Sequence, residues 1–217
     1  MSKHLVTLTD PSSPASEAFR TLRTNLIFYD REVPLHTILI TSATQESDSA
    51  HKSNIIANLA VTMAQSGRPT LLVDCDLRQP KQHKIWAASN EDGLTTALLE
   101  DRELPMREIG IENLSLITSG PQPPNPTDLL GSRKMDKLIK RMQELAEIVL
   151  FDAPPVLAVT DSAVLAAKLD GVLLVFSAGQ TRVDHAARAR EHLERINVKI
   201  IGAVLNNAPT DPSLVPY

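Results

Sequence analysis

Short apolar runs recur along the chain, and each is followed by a stretch whose apolar residues repeat at helical spacing. Thr37-Ile-Leu-Ile-Thr-Ser42 and Pro69-Thr-Leu-Leu-Val-Asp74 are the first two runs. Leu114–Ile117 and residues 147–152, 171–176 and 198–205 supply four more. Runs this short, with little polar alternation, predict strands covered on both faces. Between them the spacing predicts helices over residues 53–66, 80–87, 94–99, 127–145, 161–169 and 182–196. An earlier helix is expected from Pro14 to about Phe28, with Phe19, Leu22 and Leu26 on one face. Ser13 suits its N-cap and Pro14 its first position. Residues 1–13 read as extended. Strands alternating with helices define an α/β fold: a mostly parallel sheet with helices on both faces.

In such sheets ligands bind beyond the carboxyl ends of the strands. Two of the apolar runs end there in acids. One reads Leu71-Leu-Val-Asp74-Cys-Asp76-Leu-Arg78, the other Ile148-Val-Leu-Phe-Asp152-Ala-Pro-Pro155. An ionised carboxylate at the end of a buried strand is costly unless a cation or donors lie nearby. Mg²⁺ takes oxygen ligands, commonly one or two carboxylates together with substrate phosphates. Asp74, Asp76 and Asp152 therefore form a candidate nucleotide–metal centre.

Composition narrows the choice. The 217 residues carry 22 basic and 26 acidic side chains, a net charge of −4. That balance argues against a dedicated nucleic-acid binder. A single cysteine excludes an intramolecular disulfide and fits a reducing compartment. The six histidines show no metal-ligand spacing with Cys75, so no zinc site is expected. Cys75 lies between two acids that disfavour its thiolate, and Trp86 reads as a packing residue. No apolar run reaches the ~18–20 residues of a membrane span, and no signal-peptide pattern opens the chain.

Taken as an ordered set, these motifs resemble the bacterial tyrosine kinases (BY-kinases), P-loop autokinases of capsule and exopolysaccharide assembly. Leu71-Leu-Val-Asp74-Cys-Asp76-Leu-Arg78 is similar to that family's second Walker motif, and Ile148-Val-Leu-Phe-Asp152-Ala-Pro-Pro155 to its Walker B. Glu17-Ala-Phe-Arg20-Thr-Leu-Arg23 resembles the helix motif through which its subunits pack in a ring. The segments from Ser119 to Leu130 and from Asp152 to Asp161 are also typical of it. The resemblance covers nearly the whole chain and implies one P-loop NTPase-like domain over residues 1–217. Residues 1–33 would form its N-terminal arm and oligomerisation helix.

By position, the resemblance implies that Asp74 is the base that takes the proton of a tyrosine hydroxyl. Asp76 and Asp152 would hold or orient Mg²⁺. Lys52, Ser53 and Arg78 would contact ATP or ADP, with Ser53 also meeting the metal. Asn206 and Asn207 would face the base. Glu17, Arg20 and Arg23 would join copies of the chain into a homo-oligomer. The implied partner is a membrane-embedded polysaccharide co-polymerase or activator, which would recruit a cytoplasmic protein to the inner face of the membrane.

The first Walker motif departs from the pattern. The family reads roughly Ser-Ala-x-Pro-Gly-Glu-Gly-Lys-Ser. Here Ser42-Ala43-Thr44 is followed by Gln45-Glu46-Ser47-Asp48-Ser49-Ala50-His51 before Lys52-Ser53, seven residues in place of four and no glycine among them. Glycines allow the positive φ and close approach with which a P-loop turns its N–H groups toward phosphate. Glu46 and Asp48 add negative charge. The chain also ends in one tyrosine, Tyr217, where the family usually carries a cluster. These departures lead to the expectation of a family member with impaired ATP binding and a regulatory or assembly role. An active ATP- and Mg²⁺-dependent tyrosine autokinase is the alternative. A partition-type ATPase fits less well.

Overall fold

The computed structural model describes residues 5–30, 32–45 and 50–209. Its seven strands are β1 (Thr37–Ser42), β2 (Thr70–Asp74), β3 (Arg107–Glu108), β4 (Leu114–Ile117), β5 (Ile148–Asp152), β6 (Gly171–Ser177) and β7 (Ile200–Asn206). They form one sheet in the order β3-β4-β2-β5-β1-β6-β7. Every pairing is parallel except that of β3 with β4. The helices are α1 (Val6–Thr9), α2 (Pro14–Ile27), α3 (Ala50–Gln65), α4 (Gln82–Ile85), α5 (Leu94–Glu100), α6 (Pro126–Gly131), α7 (Arg133–Leu145), α8 (Asp161–Ala166) and α9 (Val183–Arg195).

The central strands are buried along their whole length because both faces are covered. Leu39, Val73, Val149 and Phe151 pack with Met135, Ile139 and Met142 of α7 and Leu193 of α9. Ile38, Ile40, Leu72 and Leu150 pack on the other face with Ile56, Leu59 and Met63 of α3 and Leu26 of α2. Each such side chain contributes roughly 1.5–3 kcal/mol by leaving water, which fixes the strand register and with it the positions of the strand ends.

All six expected strands are present, and three local expectations are corrected. Residues 6–9 form a helical turn rather than extended chain. So short a helix is not stable alone; here Leu5 is buried, and the backbone N–H and hydroxyl of Thr7 both donate to Asn58 Oδ1 at 3.0 and 2.8 Å. The helix expected over residues 127–145 is two. Ser132 adopts extended backbone between them, and its hydroxyl caps α7 by accepting from the Met135 N–H at 3.2 Å. The two-residue β3, absent from the expected set, closes the β4 edge of the sheet. The start of α2 matches the sequence reading: Ser13 Oγ accepts from the Ser16 N–H at 3.2 Å, with Pro14 in the first turn.

Candidate functional site

Parallel pairing of β2 with β5 sets Asp74 directly beside Asp152, and pairing of β1 with β5 sets Ile40 on the other side of Asp152. Both aspartates are fully buried, and Asp76 is nearly so. Two like charges at adjacent strand ends require compensation. Lys52, near the start of α3, supplies it: its ammonium is buried and donates to Asp152 Oδ1. Asp74 is satisfied by backbone groups. Its Oδ2 accepts from the N–H groups of Lys81 and Gln82 at 3.0 and 2.9 Å, and its Oδ1 from that of Asp76 at 3.3 Å. Asp76 in turn accepts from the Gln79 N–H at 2.9 Å.

A cleft of about 90 Å³ opens over this centre, lined by Ser42, Gln45, Lys52, Asp76, Arg78 and Pro154 among others. Its far wall is the turn after β5, held to the turn after β1 by the Val156 N–H to Ser42 O and the Leu157 N–H to Ala43 O at 2.9 and 3.1 Å. Thr41 Oγ1 also donates to Pro154 O at 2.6 Å.

Burial, reinforced by the Asp152 carboxylate beside it, holds the pKa of Asp74 well above the usual carboxylate range. Burial also raises that of Asp76. It pushes the Cys75 thiol well up, with the neighbouring carboxylates adding to the effect, so Cys75 is a poor nucleophile. A folded-state pKa above the unfolded value of ~3.9 means that the native chain holds the extra proton. The stability from Asp74 is therefore complete below about pH 4 and is lost as pH rises through the raised folded pKa. Asp74→Asn removes this titration. The variant is expected to melt above the native chain at about pH 7, by ~2–4 °C per kcal/mol gained for a chain of this size. The gain should shrink toward pH 4, where only the lost Asp76 N–H bond to Oδ1, an oxygen that asparagine replaces with NH₂, separates the two chains; a difference independent of pH in a thermal melt series would show that Asp74 titrates normally.

Of the expected site residues, Asp74, Asp76, Asp152, Lys52 and Ser53 come together. Arg78 lines the same cleft, but its Nε and Nη2 donate to the fully buried Asp161 at 2.8 and 3.1 Å. Thr127 also donates to Asp161. Asn206 and Asn207 lie elsewhere, in a cleft of about 570 Å³ between α2 and β7 that Phe19 and Leu22 also line. Asn207 has φ 54°, the left-handed turn conformation that asparagine tolerates. On α2, Glu17 is exposed and accepts from Arg20 Nη1 at 2.7 Å, while Arg23 Nη1 donates to Thr62 O at 3.1 Å. Glu46, Ser47, Asp48 and Ser49 of the first Walker segment lie outside the described residues, as does Tyr217.

Two residues at the centre were not singled out in the sequence. Gln82 is fully buried and binds both Asp74 and Asp152. Asp161 anchors Arg78. Gln82 had one sequence signal, its spacing of four from Trp86 on a helix; Asp161 had only its place in a typical segment.

No protein-family model matches the chain. The sheet order, the buried acids at two adjacent strand ends and the lysine of the helix after β1 define a P-loop NTPase-type α/β protein. At the level of fold alone, the chain is similar to the septum site-determining protein MinD complexed with Mg-ADP from Pyrococcus horikoshii (TM-score 0.65, 20% identity, 83% of this chain and 74% of that one). Other relatives are nearer in sequence. Tyrosine-protein kinase YwqD of Bacillus subtilis is 39% identical over 208 residues, 95% of this chain and 86% of the relative. The chimeric protein CapA2B2 superposes with a TM-score of 0.89 at 36% identity, over 95% of this chain and 90% of that one. The chain belongs to the bacterial tyrosine-kinase family.

Proposed function

We propose that this protein acts in the synthesis or export of a cell-surface polysaccharide as a family member with a complete acidic centre and a weakened phosphate cradle. Its role is regulatory or in assembly. The observation that carries this reading is the contrast between Asp74, Asp76 and Asp152, which are assembled with Lys52, and the seven-residue, glycine-free segment that precedes Lys52.

The donor set suits Mg²⁺: carboxylate oxygens of Asp76 and Asp152 and the hydroxyl of Ser53 are the hard ligands it takes. When bound, the metal would neutralise phosphate charge. Lys52 would then exchange Asp152 for a phosphate, acting as a point charge. Arg78, paired with Asp161, would offer its Nη1 to phosphate. The raised pKa of Asp74 suits it to accept the proton of a tyrosine hydroxyl. A specific observation favours the alternative of an active autokinase: Lys52 reaches the acidic centre despite the altered segment before it. Calorimetric titration with MgADP and MgATP tests the main reading. Binding between about 100 μM and 1 mM, roughly 4–5.5 kcal/mol, is expected. Low-micromolar binding together with phosphate incorporation at Tyr29 or Tyr217 would overturn it in favour of the active kinase.

The protein would work at the inner face of the membrane, held there by a co-polymerase or activator. No described helix is long and apolar enough to cross a bilayer. Glu17, Arg20 and Arg23 would join copies of the chain. Arg20→Ala combined with Arg23→Ala is expected to lower the oligomeric mass in light scattering; an unchanged mass would leave these arginines with only their contacts inside the subunit.

A further inference from the structure

Gln82 lies buried at the acidic centre between Asp74, Asp152 and Ser53. The Gln82 carboxamide has no solvent exposure. Its Nε2 donates to Asp152 Oδ2 at 2.7 Å and to Ser53 O at 3.0 Å. Its Oε1 accepts from the Trp86 indole Nε1–H at 3.1 Å. Its backbone N–H donates to Asp74 at 2.9 Å. One residue thus touches the end of β2, the end of β5 and the first turn of α3.

The orientation of this amide is unique. Asp152 Oδ2 and the Ser53 carbonyl only accept hydrogen bonds, and an indole nitrogen only donates. Turning the amide over would set oxygen against two acceptors and NH₂ against a donor, losing all three bonds where neither Gln82 nor Asp152 is exposed to solvent. Asp152 is then held from both sides, by Lys52 on Oδ1 and by Gln82 on Oδ2. Loss of the lysine on phosphate binding would leave Gln82 to keep the carboxylate in place.

We propose that Gln82 is a positioning residue of the acidic centre, its carboxamide locked by Trp86 so as to aim Asp152 at the metal of a bound nucleotide. The proposal rests on the nucleotide–Mg²⁺ reading of the site. Trp86 is the only tryptophan in the chain, so its indole N–H resonance reports on this contact without ambiguity.

The test uses the full ¹⁵N-labelled chain, with MgADP and metal-free ADP as probes, followed by calorimetry and by the indole resonance. The native indole signal is expected to move on addition of MgADP, and less with ADP in a chelator. Gln82→Met, which keeps the volume but makes none of the three bonds, should weaken MgADP about tenfold and leave metal-free ADP unchanged, because Gln82 meets the metal's ligand and not the nucleotide. Trp86→Phe, which frees the amide but keeps it, should give a smaller loss of the same kind. It carries the test if Gln82→Met fails to fold. A still indole signal in a native chain that binds MgADP overturns the proposal and leaves the nucleotide site standing. Equal losses for MgADP and ADP do the same. Absence of heat from the native chain at millimolar MgADP overturns the nucleotide reading, and the proposal with it.

Discussion

Replacing residues 45–51 by Pro-Gly-Glu-Gly is expected to tighten MgATP binding about a hundredfold, read by calorimetric titration. Two costs contribute. A non-glycine residue held in a strained backbone region costs of order 1–3 kcal/mol, and the native segment offers no glycine to relieve it. A carboxylate of Glu46 or Asp48 within ~4 Å of a phosphate charge would be repelled by about 4 kcal/mol at an effective dielectric of ~20. Turning the acids outward removes most of the second cost, so the first sets the lower bound. Two non-glycine residues that had to take such a conformation to bind phosphate would cost about 2–6 kcal/mol, and each ~1.4 kcal/mol is tenfold, so a hundredfold lies near the low end of that range. The rest of the centre needs no repair, since Lys52 already lies against Asp152. An affinity unchanged by the replacement would show that this segment does not limit nucleotide binding and would overturn the reading of a weakened cradle.

Asp152→Ala is expected to produce the largest loss of stability among the centre's variants, about 3 kcal/mol. Removing one member of a buried ion pair typically costs about 3–5 kcal/mol, because the other charge remains in a site it cannot leave. Lys52 would be that charge. The lower end applies because Asp74 lies close enough to interact with the freed ammonium, and loses a repulsive neighbour when Asp152 goes. At ~2–4 °C per kcal/mol the melting temperature should fall by roughly 6–12 °C. Lys52→Met combined with Asp152→Leu should recover most of the loss, since an apolar pair of similar volume often replaces a buried ion pair at no net cost. A fall below about 1 kcal/mol in Asp152→Ala would show that the pair behaves as a solvated one.

The chemistry legible in the sequence was that carried by strand ends. Asp74 and Asp152 close unbroken apolar runs, so burial and position followed together, and β2–β5 pairing set them side by side. The residues that hold these acids were not legible. Gln82 reads as an ordinary polar residue of a short helix, and its value comes from Ser53 and Asp152, 29 and 70 positions away. Asp161 and Arg78 meet across 83 positions. Among the elements, Leu5-Val-Thr-Leu-Thr9 has the β-branched, alternating character of a strand, yet folds as a helical turn because Asn58 binds Thr7. Apolar residues at helical spacing run on past Ser132, which hid the break between α6 and α7; Gly131 at the end of α6 and the Ser132 cap of α7 mark it.

The clasp between Arg78 and Asp161 sets how that arginine can meet an anion. Two of its three guanidinium nitrogens are committed to a carboxylate that no solvent reaches. A forked, two-point grip on phosphate would require breaking them away, whereas a single contact from Nη1 would not. Held this way, the side chain has already given up much of its rotational freedom, so recruiting it adds little ordering entropy. Arg78 is then a fixed post rather than a closing hand: its charge is shared with Asp161, and Nη1 is the nitrogen it can offer without breaking that pair.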